Sequence, residues 1–230
     1  MTDAVKVARI HLVNLPTSLG MPWGIIGLVL AINLVIFTGL GEIPEENRAT
    51  GALASIYIVT LVAAIQAVTQ YFPFTAGLSL TRRAFVAGTA LFATAQALVS
   101  GIVLTLLLAV EDATDGWGLS LKFFGLYGEE LNPTLQVLMY AVPFLLMWAL
   151  GMGMGAVWKR WATVGLTGLM VGSILVLGGL VALITWRDAW PAVGRFFTET
   201  PTLLLTVGYP LSATVVLAAG AWLVLRRAAP

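Results

Sequence analysis

Cysteine is absent from this chain, and histidine occurs once, as His11. Without thiols there is no disulfide framework, no thiolate metal site and no cysteine nucleophile. A lone histidine outside the apolar segments leaves a membrane-embedded serine without a base, which argues against intramembrane serine proteolysis. There is no HExxH and no histidine cluster, so a zinc-dependent intramembrane protease is excluded on the same footing. Lysine is also sparse. None of Lys6, Lys122 and Lys159 sits in a GxxxxGK[ST] segment, so the chain carries no phosphate-binding loop of that kind. Charge as a whole is scarce, at 10% of 230 residues. Soluble domains carry roughly 25%.

What fills the chain instead is apolar. Hydrophobic residues make up 59% of the sequence, and the mean hydropathy is +0.95. These values predict an all-α integral membrane protein forming a single transmembrane domain over 1–230. Six apolar segments approach the roughly 20 residues needed to cross a bilayer. They run from about Trp23 to Leu40, Ala52 to Tyr71, Phe85 to Val110, Leu135 to Val157, Ala162 to Trp186 and Leu203 to Leu225. Pro143 and Pro210 fall inside the fourth and sixth, where each is expected to bend its helix. Before the first segment, Val5, Ala8, Leu12 and Leu15 share a helical stripe, with Lys6, Arg9 and Asn14 elsewhere. Residues 1–20 are therefore expected to contain an amphipathic helix lying in the interface. Pro16, Gly20 and Pro22 are expected to break the chain after it. The opening lacks the apolar core and cleavage pattern of a signal peptide.

Placing these segments separates the charges. One side receives Lys6, Arg9, Arg82, Arg83, Lys159, Arg160, Arg226 and Arg227, with Asp3 as its only acid. The other receives the remaining ten acids, among them Glu42, Glu45, Glu46, Glu111, Asp112, Glu129 and Glu130, with only Arg48, Lys122, Arg187 and Arg195 as cations. An excess of Lys and Arg marks the cytoplasmic side, so both termini are expected there, at the plasma membrane of the cell. On the outer side, Trp117, Leu121, Phe123, Phe124 and Tyr127 are expected to rest at the interface. Trp190, Phe196 and Phe197 are expected to do the same.

The segment YFPFTAGLSLTRRAF, Tyr71 to Phe85, forms a compact basic elbow between the second and third apolar segments. Pro73 is expected to end the preceding helix. Thr75 to Leu80 reads as a turn or short surface helix, and Thr81 as the cap of the next helix. Composition alone makes this an ordinary positive-inside loop; its compactness also suits a docking element for a soluble partner. Gly151 and Gly155, within GMGMG, and Gly168 and Gly172 repeat a four-residue spacing that lets helices approach closely in lipid. The pairs are expected to pack the fourth segment on the fifth, or one protomer on another. The flanking methionines read as packing rather than metal ligands.

Polar groups inside the segments are few: Asn33, Gln66, Gln70 and Gln96. Such amides must face protein or water. They serve as interhelical hydrogen bonds or as the wall of a weakly polar translocation pathway. No Asp, Glu, Lys, Arg or His lies deep within any segment, which leaves no proton relay of the kind that drives ion-coupled carriers.

The chain resembles the ABC-2-type permeases, the membrane subunits of bacterial ABC exporters. The resemblance rests on the amino-terminal helix, six apolar segments and FPFTAGLSLTRRAFVAGTAL, Phe72 to Leu91. Within it, Pro73–Phe74, Gly77–Leu78–Ser79, Arg82–Arg83, Phe85 and Gly88 match the pattern of the family's connection between spans two and three. The resemblance implies a coupling helix docking on an ATPase subunit, with Gly77, Leu78, Ser79, Leu80, Thr81, Arg82 and Arg83 at the contact. It also implies a pair of permeases, identical or paralogous, over two ATPases, which would hold the ATP and Mg. This chain itself is then not an enzyme. Few interior charges suit hydrophobic or amphipathic cargo: lipid, drug or peptide. Nucleic acid is not an expected partner. The reading weighed against this one is a non-transporting membrane scaffold or immunity-type protein that binds a cytoplasmic partner through the same elbow.

Overall fold

The computed structural model describes residues 2–13, 16–39, 50–125 and 132–228. Leu15, the acidic stretch around Glu42, Glu45, Glu46 and Arg48, and Tyr127, Glu129 and Glu130 lie outside them. The helices are α1 (Asp3–Val13), α2 (Met21–Gly39), α3 (Ala54–Gln66), α4 (Phe72–Gly77), α5 (Arg82–Ala113), α6 (Pro133–Trp186), α7 (Trp190–Glu199) and α8 (Tyr209–Leu225). There is no β-strand among the described residues. Among the described residues five helices are long and apolar enough to cross a membrane: Met21–Gly39, Gly51–Gly77, Arg82–Ala113, Pro133–Trp186 and Leu204–Leu225.

The prolines do not break the chain as expected. Wide π-helical turns at Pro16–Gly20, Ala67–Tyr71 and Leu204–Gly208 each run directly into a helix whose second residue is proline: Pro22, Pro73 and Pro210. Proline has no N–H to give to a carbonyl one turn back. A turn widened by one residue just before the proline lets neighbouring N–H groups shift their acceptors, as Phe72 N–H does in bonding to Ala67 O. So Pro73 does not end the second apolar helix, which continues to Gly77. From Pro16 onward the chain winds straight into α2, so Gly20 and Pro22 do not interrupt it, while the junction with α1 at 14–15 lies outside the described residues.

Helices α3, α5 and α6 each touch two apolar clusters in turn, which places those clusters at opposite ends of one bundle. One end gathers Val7, Phe72, Phe85, Trp148, Ala156 and Leu225. The other gathers Ile26, Leu53, Ile56, Leu104, Tyr140 and Phe144, and with them Leu121, Phe123 and Phe124. The last three were expected at the outer interface, yet they are buried to 0%, 0% and 1% exposure. The loop that carries them folds into the bundle end. The helix α7 keeps Trp190, Phe196 and Phe197 exposed at the rim.

Helices approach one another closely at Gly151, Gly155, Gly88 and Gly101. A Cβ at Gly151 would lie 2.5 Å from Ala64 Cβ, and one at Gly155 2.7 Å from Val68 Cβ. The partner of this pair is therefore the second apolar helix, not the fifth segment. A Cβ at Gly168 or Gly172 meets no heavy atom within 4 Å, so this pair has no close partner among the described residues. Gly88 receives α1: a Cβ there would lie 2.6 Å from Val7 Cβ. Gly101 receives the backbone of α6 at Val137. The buried face of α1 is accordingly Val7 and His11, while Leu12 is 46% exposed. The expected Val5–Leu12 stripe is off by part of a turn, because α5 offers a glycine notch to Val7.

Segments four and five form one helical run of 54 residues, Pro133–Trp186. At 1.5 Å per residue a straight run would be about 80 Å long, far beyond a bilayer core of about 30 Å. It is not straight. Ala162 has φ 49° and ψ −139°, outside helical geometry. A Cβ on Gly165 would lie 3.1 Å from Val157 Cγ1, although eight residues of straight helix separate such positions by about 12 Å. The chain thus folds back at Ala162, beside Trp158 and Trp161, with the Arg160 guanidinium 4.4 Å over the Trp161 ring.

Candidate partner interface at the basic end

The elbow is built on a turn closed by its own backbone. Ser79 N–H donates to Ala76 O at 3.0 Å and Leu80 N–H to Thr75 O at 3.1 Å. Ser79 holds the turn with φ 60°, a left-handed value uncommon for a non-glycine residue. Thr75 is buried and its hydroxyl donates to Phe72 O at 2.9 Å. Thr81 has extended backbone, and its hydroxyl oxygen accepts from Ala84 N–H at 3.1 Å, capping α5. Phe72 and Phe85 meet edge to face at 5.2 Å beneath the turn. The connection is thus a tight turn after α4.

The seven expected contact residues divide. Gly77, Leu78, Ser79, Thr81 and Arg83 are exposed. Leu80 is half-buried against the core, so it supports the turn rather than presenting a surface. Arg82 donates to the carbonyl of Arg226 and so ties the elbow to the end of α8. Phe74, a member of the family-like pattern but not of the expected contact set, is 56% exposed and lies four residues before Leu78, itself 54% exposed. The large exposed side chains of the elbow are therefore Phe74, Leu78 and Arg83. The cluster beneath includes Val7, Phe85, Ala156 and Leu225, so Lys6, Arg9, Lys159, Arg160, Arg226 and Arg227 lie close by in the chain at this end. Asp3 is engaged by Lys6 at 2.8 Å.

Behind the elbow lies a box that the sequence did not announce. His11 is 1% exposed, stacked on Phe92 at 4.8 Å and edge-on to Tyr71 at 5.2 Å and Trp148 at 5.8 Å. Its Nε2 lies 3.1 Å from the Thr89 hydroxyl. Burial pushes the imidazole down from 6.5 to about 4, since desolvation disfavours the cation. The only signal for this in the sequence was the placement of the sole histidine on an amphipathic helix.

The expected pathway residues do not converge. Gln96 is buried and its Oε1 accepts from Trp148 Nε1 at 2.9 Å. Asn33 donates back to Val29 O at 2.8 Å within its own helix. Gln66 is half-buried and Gln70 exposed. Gln66 ends α3 and Gln70 lies within the π turn 67–71, whose wider winding departs from the α-helical register in which residues four apart share a face. A cleft of about 410 Å³ lined by Met139 and residues 198–203 contains none of the four. Among the described residues there is no group of three or more His, Cys, Asp and Glu able to hold a metal ion. Comparison of the chain with protein-family models, curated proteins and solved structures returned no match.

Proposed function

We propose that this chain is the membrane-spanning permease subunit of an ATP-driven exporter, energised by a separate cytoplasmic ATPase. The observation that carries the reading is the elbow: Phe74 and Leu78 exposed side by side, flanked by Arg83, on a turn fixed by hydrogen bonds and by Arg82. An exposed apolar pair with a neighbouring cation on a rigid support suits an interface anchor. The arms of α6 count as two crossings in this reading, giving six spans, with α1 at the interface. The basic end faces the cytoplasm. The partners are an ATPase dimer and a second permease copy or a paralogue. The cargo is hydrophobic or amphipathic, in keeping with a bundle whose buried polar groups, apart from His11 and Glu111, are amides and hydroxyls.

Affinity purification of the full chain from its own cells, with ATPase assay of the purified complex, tests this. A stoichiometric ATPase that is lost in Leu78→Asp supports the reading. A stable partner without ATPase activity would favour a scaffold instead. Insertion of the chain with no partner at all would defeat both.

A further inference from the structure

The outer connection after α5 is organised by one carboxylate. Glu111, in the last turn of α5, is 3% exposed. Its Oε2 accepts from Trp117 Nε1 at 3.0 Å, Phe123 N–H at 3.0 Å and Phe124 N–H at 3.1 Å. Its Oε1 accepts from Phe124 N–H and Gly125 N–H, each at 3.1 Å. Three successive backbone N–H groups and an indole thus surround one buried anion. Among the described residues the only ion pair is Lys6–Asp3, so these N–H dipoles, rather than a cation, offset the charge of Glu111.

What the carboxylate holds is an insert. Leu121, Phe123 and Phe124 pack among residues of α2, α3, α5 and α6, and Tyr140 O–H donates to Phe124 O at 2.7 Å. The backbone leading to them is not relaxed: Asp115, Trp117 and Ser120 take φ of 49°, 63° and 51°. Non-glycine residues persist in this region only when their surroundings over-determine it.

We propose that residues 116–125 are a plug seated in the end of the bundle opposite the elbow, and that Glu111 is the pin that seats it. All four donors meet at one side chain, so loss of that side chain frees the loop at a single point. The strained approach to the plug favours its departure once the pin is gone. The proposal holds whether the bundle exports, scaffolds or does neither.

Hydrogen–deuterium exchange on the full chain in lipid nanodiscs tests it. Amides 121–125 are expected to exchange slowly in the wild type. They should exchange on the order of tenfold or more faster in Glu111→Gln and Glu111→Ala, since hydrogen bonds to a charged acceptor are each worth more than neutral ones. Exchange within α5 and α6 should not change. A single cysteine in the otherwise cysteine-free chain, Leu121→Cys, gives a second readout. It should resist a membrane-impermeant maleimide alone and react when combined with Glu111→Gln. Trp117→Phe removes one donor only and should give an intermediate effect if Glu111→Ala fails to fold. Fast exchange of 121–125 in the wild type overturns the proposal. So does unchanged exchange in both Glu111 variants, or equal acceleration throughout α5 and α6.

Discussion

Two glycines two residues apart on α6 should respond to the same substitution with opposite sign. A Cβ at Gly151 would lie 2.5 Å from Ala64 Cβ, 2.7 Å from Leu61 O and 3.1 Å from Ile65 N. Carbon atoms prefer about 3.5–4.0 Å. The shortfall is about 1 Å, and the atoms in the way are backbone or the stub of an alanine, which cannot rotate aside. In Gly151→Ala, α3 and α6 must therefore separate, at an overpacking cost of about 1–3 kcal/mol. For a chain of this length that is a fall in melting temperature of about 2–12 °C. At Gly153 a Cβ meets nothing within 4 Å. Gly153→Ala should instead gain about 0.5–1 kcal/mol, because alanine loses less backbone freedom in a helix. Thermal unfolding of both variants in one detergent measures the difference. Gly151→Ala at or above the wild type, or Gly153→Ala falling as far as Gly151→Ala, would refute the reasoning. The second result would place another chain against Gly153.

Leu78→Asp should leave folding intact and remove the bound partner, by roughly thirtyfold in affinity if the side chain anchors the contact. Leu80→Asp should lower thermal stability as well, because Leu80 packs on the core; equal stability of the two would contradict that placement. The docking of α1 should weaken with acid. His11 has its folded value depressed to about 4 from 6.5, so the undocked helix binds more protons between those values. Stability is then complete above about pH 6.5 and falls as pH drops toward 4, by on the order of 3 kcal/mol in total. Proteolysis or exchange of residues 2–13 at pH 7 and pH 5 reads this, and His11→Phe should be flat across the range. Reporter fusions after Arg227 and in the loop near Lys122 should report opposite sides of the membrane; the same side for both would end the proposed topology.

The helical membrane class was legible because it follows from hydropathy, a property of each run by itself. The Thr81 cap was legible because capping is local. Helix partners were not. Gly151 with Gly155 and Gly168 with Gly172 have the same spacing, yet among the described residues only the first pair meets another helix. Spacing tells that a face is smooth and says nothing of what lies against it. The prolines misled for a related reason. Pro73 breaks a regular α-helix, but an extra residue in the preceding turn re-routes the bonds, and that insertion leaves no mark in composition. The elbow was found as a segment, while its exposed and supporting residues were not told apart. Leu78 and Leu80 are chemically alike, and only the turn at Ser79 turns one outward and the other inward.

Two ionisable groups are buried in a chain with so little charge, His11 and Glu111. The middle of the apolar segments holds none. His11 and Glu111 are buried at opposite ends, and each joins a peripheral element to the bundle. His11 inserts α1 into an aromatic box beside the elbow, and Glu111 gathers the plug. His11 is held by ring faces and a hydroxyl, and Glu111 by N–H groups. Such contacts are directional and fail together when the element moves. Apolar packing of the same elements would tolerate sliding, because lipid or another apolar surface can replace it. A polar tie in an apolar setting has no comparable substitute. Polar ties of this kind therefore fix α1 at one end of the bundle and the loop 121–125 at the other more specifically than apolar contact alone would.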